Sequence, residues 1–552
     1  MKKTTESSST GRSDMRKELS GIPKLAIAML VCGVVAIVIS RPASARDNRE
    51  DKEANLGPGC NADRPAIAHD AGAIVVRPPR GRNEAPIPCT TNTQFRTGEI
   101  SIVVTKKGTT VFQPAVKDQT GSAVGVLRSP TAGALWGLVL PNPPRTLSVD
   151  QRMSLDRRTG RIFWIQLGLP PNNFGITITP RLDISDDDGK TWFAGGKTLG
   201  FDDPSIFAGP PPKTSRTLTH DYPNIVYACM GHKPLKCQRS VDGGLTWGPA
   251  SEIPFPSELE PLQGPPPGCA EFGTQGVVST DGTVYVPFTP CNRPYVAISH
   301  DAGDTWRLVR VAETETIGFG ALPMDVDAQG ILYAAFAKAA DRLPYLTMSR
   351  DGGLHWSAPL MIGAPGVTES AIPALVAGAH GQVAITYYGS PNAPRPFPPA
   401  CEGPSLKCPG YENESWNTYI TETWNALDER PLFWSATLND PAQPTWYGVT
   451  PSAVGVIRVD EQFNRGPGYT QGGTTGALPS GAGGRIDYFG AVMALDDTAW
   501  VGFAQECPFG LPVAGNPNCP STLTGASTDG LFGMVGRLVR VGMEVDGQDD
   551  DQ

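Results

Sequence analysis

Acidic residues stand just ahead of a series of apolar, strand-like runs. Glu99 leads into ISIVVTKKGTTVFQPAV, Asp150 into MSLDRRTGRIFWIQL, and Asp202 and Asp203 reach IVYACM after a Pro-rich insertion. Glu271 precedes GVVSTDGTVYVPF, Glu369 precedes IPALVAGAHGQVAITYY, and Asp487 precedes FGAVMALDDTAWVGF. A seventh run, IGFGALPMDVDAQGILYAAF, has Phe319 or Gly320 where the others have acid. Carboxylates gathered in one place repel each other, which raises the pKa of some and leaves others ionised. That split supplies the acid and the base of glycosidic bond cleavage. The same ring could instead collect a calcium ion, which takes about six to eight oxygen ligands. The plainer reading is that each acid accepts turn NH groups before its strand. Glu271, Glu369 and Asp487 are the strongest candidates, because their runs align without insertions.

A repeat has to position these acids. The octapeptides SDDDGKTW (185–192), SVDGGLTW (240–247), SHDAGDTW (299–306) and SRDGGLHW (349–356) share the frame Ser-x-Asp-x-Gly-x-Thr-Trp, with His355 replacing Thr once. Its fixed positions are Ser185, Asp187 and Trp192; Ser240, Asp242 and Trp247; Ser299, Asp301 and Trp306; and Ser349, Asp351 and Trp356. The tryptophans are 55, 59 and 50 residues apart. SPTAGALW (129–136) is a decayed copy whose Trp136 lies 56 residues before Trp192. Ser and Asp side chains bond to nearby backbone NH groups, Gly supplies positive φ, and Trp opens a strand with a large buried ring, so each copy is a hairpin turn. A period near 50 residues suits one four-stranded propeller blade.

These octapeptides resemble Asp boxes, and a chain with four at blade spacing is similar to the sialidase (neuraminidase) superfamily of β-propellers, also called BNR-repeat proteins. The resemblance implies an all-β fold over residues 95–540, a single β-propeller of six or seven four-stranded blades with Asp-box hairpin turns. Seven strand openers favour seven, whereas the family has six. It also implies that the boxes lie on the face opposite the active site. Sialidases hold a sialate carboxylate with three arginines, the first in an F/Y-R-I-P segment, and use an Asp acid/base and a Tyr nucleophile activated by Glu. No F/Y-R-I-P occurs here. Arg485-Ile486-Asp487-Tyr488 is a partial likeness near the other end of the chain, and Tyr411 and Tyr419 lie near Glu412, Glu414 and Glu422. On this resemblance Glu271, Glu369, Asp487 and Tyr488 are the candidate catalytic residues, and Arg485 and Asp203 the candidate substrate-binding residues.

Composition bounds the alternatives. With 63 Gly and 54 Pro in 552 residues, the chain reads as strands joined by many turns. Residues 1–45 combine basic residues, the uncharged run LAIAMLVCGVVAIVI and Ala43-Ser44-Ala45, which describes a signal peptide, with a single N-terminal membrane anchor as the alternative. The expected location is therefore secreted or cell envelope. Removing that leader takes away seven basic and three acidic side chains and moves the net charge from −9 to −13, which argues against nucleic acid as a partner. Ten cysteines remain, an even number that suggests disulfides between sequence neighbours. There is no C-x-x-C, and the six histidines are too few for a zinc reading to be attractive. Residues 46–94 read as an extended Pro-rich arm tied down by Cys60 and Cys89, and 541–552 as an acidic tail. No nucleotide-binding glycine motif appears, so no organic cofactor is expected. The expectation is a candidate exo-glycosidase acting on a glycan or glycoconjugate. The alternatives are a non-catalytic propeller that binds glycan or protein, and a cell-envelope scaffold.

Overall fold

The computed structural model describes residues 57–78, 85–96, 100–113, 125–142, 148–168, 179–198, 204–213, 222–230, 234–263, 274–317, 322–394, 414–447, 490–506 and 531–540. All belong to one compact unit, Arg49–Gln552. They form six four-stranded antiparallel sheets and one six-stranded sheet. In chain order the sheets span 101–139, 148–194, 205–252, 277–310, 324–361, 369–437 and 490–539, and we number them as blades one to seven. The first strand of each blade packs against the first strands of its two neighbours, and that of the seventh meets that of the first, which closes the ring of a β-propeller.

Burial explains the composition of the strands. The second strand of a blade lies between two neighbouring sheets, so both faces must be apolar. Ile225–Met230, Val284–Phe288 and Leu332–Ala337 are buried at every position. Neighbouring blades share their cores: Phe163, Ile165, Leu182 and Ile184 of the second pack against Ile206, Val226 and Ala228 of the third. Each of the Phe, Ile, Leu and Val side chains among them contributes about 1.5–3 kcal/mol when fully buried.

The ring is fastened by its ends. In the seventh blade the strands Gly490–Met493, Ala499–Glu506 and Leu531–Val539 come from the C-terminal part, and the outermost strand, Ile87–Arg96, comes from the N-terminal part. Ile67–His69 likewise adds an edge strand to the sixth blade by pairing with Phe433–Thr437. The 46–94 segment expected as an arm therefore supplies strands to two blades. A polar, Pro-rich stretch hides this because an edge strand tolerates proline. Cys60–Cys89 ties the segment to its own outer strand, and Cys229–Cys237 links two paired strands of the third blade. Both join sequence neighbours, as expected, and Cys291 is also disulfide-bonded.

The octapeptides are turns between third and fourth strands. In the second blade Ser185 Oγ donates to Asp187 Oδ1 (2.9 Å) and accepts the Gly189 N–H (2.9 Å), and Asp187 accepts the Thr191 N–H (2.9 Å) and hydroxyl (2.7 Å). The other three repeat this pattern around Asp242, Asp301 and Asp351. Partial burial raises the pKa of Asp187, Asp242 and Asp301, but the hydrogen bonds outweigh it and hold these carboxylates below their usual range. At Asp351 the His355 N–H and ring dominate and bring it down to about 2. The decayed copy keeps the geometry with a hydroxyl in place of the carboxylate: Thr131 Oγ1 accepts the Leu135 N–H (2.9 Å), and Trp136 Nε1 donates to Gly133 O (3.0 Å). Each turn also presses on the preceding blade. Gly244 sits at φ 91°, and a Cβ there would lie 3.0 Å from Leu182 Cδ2.

Candidate functional site

In an antiparallel blade the loops before the first strand and between the second and third lie at one end, and the octapeptide turn lies at the other. In the fifth blade, loop 338–343 and turn 349–356 are separated by the third strand, Pro344–Ser349. Six residues at about 3.3 Å each place them roughly 20 Å apart. The site is accordingly sought on the rim that carries loop 338–343.

At this rim Glu369 begins the inner strand Glu369–Ala377, and Arg342 from the fifth blade reaches it, with Nη1 3.2 Å from Oε1. Their side chains are 1% and 10% exposed respectively. The Ser370 N–H (2.7 Å) and hydroxyl (3.0 Å) donate to the Arg342 carbonyl and pin the loop. Two residues further on the strand bulges between Ala371 and Ala374, with Ile372 at φ 50°. Burying two charges is tolerable when they neutralise each other and their remaining atoms are bonded.

On the same rim a shallow cleft of about 440 Å³ opens between the fourth and fifth blades, lined by Arg293, Arg310, Glu313, Thr314, Glu315, Ala339 and Ala340. Its walls are knit by the Thr316 N–H to Asn292 O and the Ala339 N–H to Glu315 O, both 2.8 Å. Arg293 pairs with Glu315 at 3.2 Å and Arg310 with Glu313 at 2.5 Å, the glutamates being 57% and 83% exposed. Pairs this exposed are worth about 0–1 kcal/mol, so a ligand carrying oxygens can displace either carboxylate cheaply. The Arg293 Nε is buried and has no hydrogen-bond partner.

A Tyr and Glu pair stands next to these arginines. The Tyr295 hydroxyl donates to Glu258 Oε1 at 2.6 Å. Burial first, and the neighbouring carboxylate second, push the Tyr295 pKa up to about 12, so the hydroxyl stays protonated and acts as a donor. In the second blade Asp183 is fully buried on the third strand Thr179–Ser185, 2.5 Å from Arg181 and accepting from Gln166 Nε2 at 2.8 Å. Burial outweighs both partners and pushes its pKa up to about 6.

Of the residues expected from sequence, the structure brings Glu369 to the rim, where Arg342 engages it. Glu99, Asp203, Glu271, Arg485, Asp487 and Tyr488 lie outside the described residues, as do Tyr411 and Glu412. Asp150 falls within the inner strand Ser148–Leu155. Tyr419 and Glu422 do not pair. Tyr419 stacks on Tyr387 with centroids 5.6 Å apart, and Glu422, three residues along the strand and so on its other face, accepts from Gln382. Among the described residues no group of three or more His, Cys, Asp and Glu is placed to hold a metal ion. Sequence reasoning passed over Arg293, Arg310, Arg342, Glu313 and Glu315 because Arg310 ends an outer strand and the others lie in loops, none of them in a repeated position. The only available signal was the crowding of charge in R-VA-E-T-E at 310–315.

Ring closure and rim together define the class, a β-propeller with a polar cleft on the face away from its octapeptide turns. The sequence matches no family model and no curated protein. Among solved structures it is similar to a protein of unknown function from Dyadobacter fermentans, at 14% identity and TM-score 0.36 over 81% of this chain and 96% of the other. An α-L-arabinanase from Penicillium chrysogenum complexed with arabinobiose is similar at 12% identity and TM-score 0.36, over 63% and 98%. The intramolecular trans-sialidase of Ruminococcus gnavus is similar at 12% identity and TM-score 0.32, over 81% and 94%. At such values the chain's own residues have to carry the functional reading.

Proposed function

We propose that this chain is an exported, carbohydrate-active propeller that works as an exo-glycosidase at the rim opposite its octapeptide turns, with a glycan or glycoconjugate as substrate. The observation that carries this reading is the cleft, a shallow and largely open site lined by two guanidinium groups and two weakly held carboxylates, on the rim that also carries the buried Arg342–Glu369 pair. Guanidinium and carboxylate groups are the donors and acceptors that hydroxyl-rich ligands need, and a carboxylate in a cleft can move the proton that glycosidic cleavage requires. Glu369, closed off by Arg342, serves here to position that arginine. The proton-transferring group is sought among Glu313, Glu315, Glu271 and Asp487, with Tyr488, Arg485 and Asp203 as further contacts. The test is turnover of a panel of fluorogenic glycosides, a sialoside included, by the exported protein and by Glu315→Gln, Glu271→Gln and Asp487→Asn variants with unchanged melting curves. Activity that falls at least about tenfold in one variant supports the reading. Absence of turnover above the variants on every substrate refutes it.

A second reading, binding without catalysis, is favoured by one observation. Both cleft glutamates are paired to cleft arginines, and Tyr295 is held protonated. It predicts glycan capture that is lost in Arg293→Ala with no turnover of any substrate.

A further inference from the structure

The sixth blade does not end at Ile67–His69. The chain turns at 70–73 and comes back along that strand. The Asp70 N–H donates to Ile74 O and the Val76 N–H to Ala68 O, both at 3.0 Å, and His69 stands opposite Val75. In this antiparallel pattern the N–H and C=O of Val75 and Arg77 point outwards, and those groups have no partner among the described residues. The edge is also apolar. Nine large apolar side chains are exposed among the described residues, and three of them, Ile67 (48%), Ile74 (65%) and Val75 (62%), belong to this hairpin. The hairpin is held in place along its length. The Gly72 N–H donates to Met361 O of the fifth blade (3.0 Å), His69 Nε2 lies 2.7 Å from the Ser435 hydroxyl, and Arg64 Nη1 donates to Asn439 O (3.2 Å).

An open edge is a template for another strand, and most other blades guard theirs by shortness or charge. The outermost strands of the second, third and fifth blades are two residues long, Phe193–Ala194, Ser251–Glu252 and Leu360–Met361, and Arg307–Arg310 of the fourth begins and ends with arginine. Ile74, Val75 and Val76 carry no such guard. We propose that this edge is an interface at which two copies of this chain pair, antiparallel about a two-fold axis at Val76. The strand is its own complement. With the axis there, Val75 of each copy faces Arg77 of the other, and their outward groups make four backbone hydrogen bonds. Pro78, which has no N–H, falls where the pattern points inwards and covers Ile74 of the second copy. Charge selects the direction. The Asp70 carboxylate, which accepts the Ile74 N–H, marks the turn end, and Arg77, exposed and without an ion-pair partner among the described residues, marks the other. Antiparallel pairing brings each arginine towards the acid of the other copy, whereas parallel pairing would set like charges together. A ladder this short buries less than about 1,200 Å², the range of transient pairs, so the dissociation constant is on the order of 100 µM.

The experiment is sedimentation velocity of the exported protein from about 1 to about 300 µM, a span that brackets such a constant. Wild type is expected to move from monomer towards dimer across this range. Val75→Pro, which removes an N–H that bonds nothing within the chain, and Arg77→Glu are each expected to weaken association at least about tenfold, with unchanged melting curves. Oxidation in a glutathione buffer then reads the register. Val76→Cys, on the axis, would bring two Cα atoms about 4.5 Å apart and is expected to give a disulfide-linked dimer. Val75→Cys is more exposed, yet its two copies would stand about 7–8 Å apart on the diagonal, so it is expected not to link. The interface is overturned if wild type stays monomeric throughout, even should the edge capture a strand of another protein. It is equally overturned if both variants associate like wild type, or if Val75→Cys links as readily as Val76→Cys. Neither measurement needs a substrate, so a failed glycoside panel leaves this result standing, and the reverse also holds.

Discussion

Glu422 offers the sharpest quantitative test of the packing at the seam where the ring closes. It is 1% exposed on the third strand of the sixth blade. One carboxylate oxygen accepts from Gln382 Nε2 at 2.9 Å, and the other has no hydrogen-bond partner. Gln382 Nε2 also donates to the Asp497 carbonyl of the closing blade at 2.7 Å, and Arg540, stacked 3.4 Å over Trp424, contributes a favourable charge. Burial dominates these partners and raises the Glu422 pKa from 4.5 to about 8. The folded state therefore keeps a proton that the unfolded chain releases above pH 4.5. Stability is fully present below that pH and is lost as pH rises towards 8. At about 1.4 kcal/mol per pH unit the loss amounts to about 5 kcal/mol, or on the order of 5 °C in melting temperature for a chain of this size. Glu422→Gln removes the proton while keeping the shape. Its NH2 group adds a buried donor that shifts the whole curve, so the slope is the quantity to read. Melting temperatures measured by scanning calorimetry from pH 5 to pH 9 should diverge, with the variant gaining on wild type up to about pH 8 and running parallel above it. Parallel curves throughout would refute the account of Glu422 as a buried neutral acid.

Three further outcomes follow from the same contacts. Asp242→Ala removes the acceptor of the Thr246 N–H and hydroxyl and of the Ser240 hydroxyl, and should cost about 1–3 kcal/mol in denaturant unfolding, with the loss concentrated in the third blade. Arg342→Met leaves Glu369 buried without its cation and should cost about 3–5 kcal/mol, whereas Arg342→Met combined with Glu369→Leu should cost clearly less; equal losses would argue against the buried ion pair. His69 is buried, with Nδ1 on Asp70 O and Nε2 on the Ser435 hydroxyl, and burial lowers its pKa below 6.5. The unfolded chain thus binds a proton first as pH falls through 6.5, and exchange protection of 67–69 and 433–435 should drop there and be flat with pH in His69→Gln.

Much of the architecture is legible from local chemistry. The octapeptide frame states its own hydrogen bonds, since Ser, Asp, Gly and Thr at those spacings satisfy one another within a single turn, and the structure forms all four and the decayed fifth copy. Apolar second strands and the openers ahead of first strands mark the blade period, and seven openers correspond to seven sheets. A sixth remnant escaped notice. Thr423 and Asn425 repeat the first half of the octapeptide pattern, with Thr423 Oγ1 to Asn425 Oδ1 at 3.1 Å, but lack its Gly and Trp. The edge strands Ile67–His69 and Ile87–Arg96 were not legible either, because their partners stand more than 350 residues away in sequence and no local pattern encodes a pairing of that range.

The candidate site divides the same way. Sequence alone determined the repeat, its turns and hence which end of each blade bears the octapeptides, because those features depend on residues a few positions apart. Only the tertiary structure decided what happens at the other end. Ring closure brings Arg342 of one blade onto Glu369 of the next, turning a candidate acid into a buried, engaged one. It also sets Arg293, Arg310, Glu313 and Glu315 around one cleft, although Arg293 comes from one loop and the others from the end of an outer strand and the loop that follows it. Charges in loops acquire meaning from the neighbours that blade packing gives them, and such neighbours are set by the closed ring rather than by spacing along the chain.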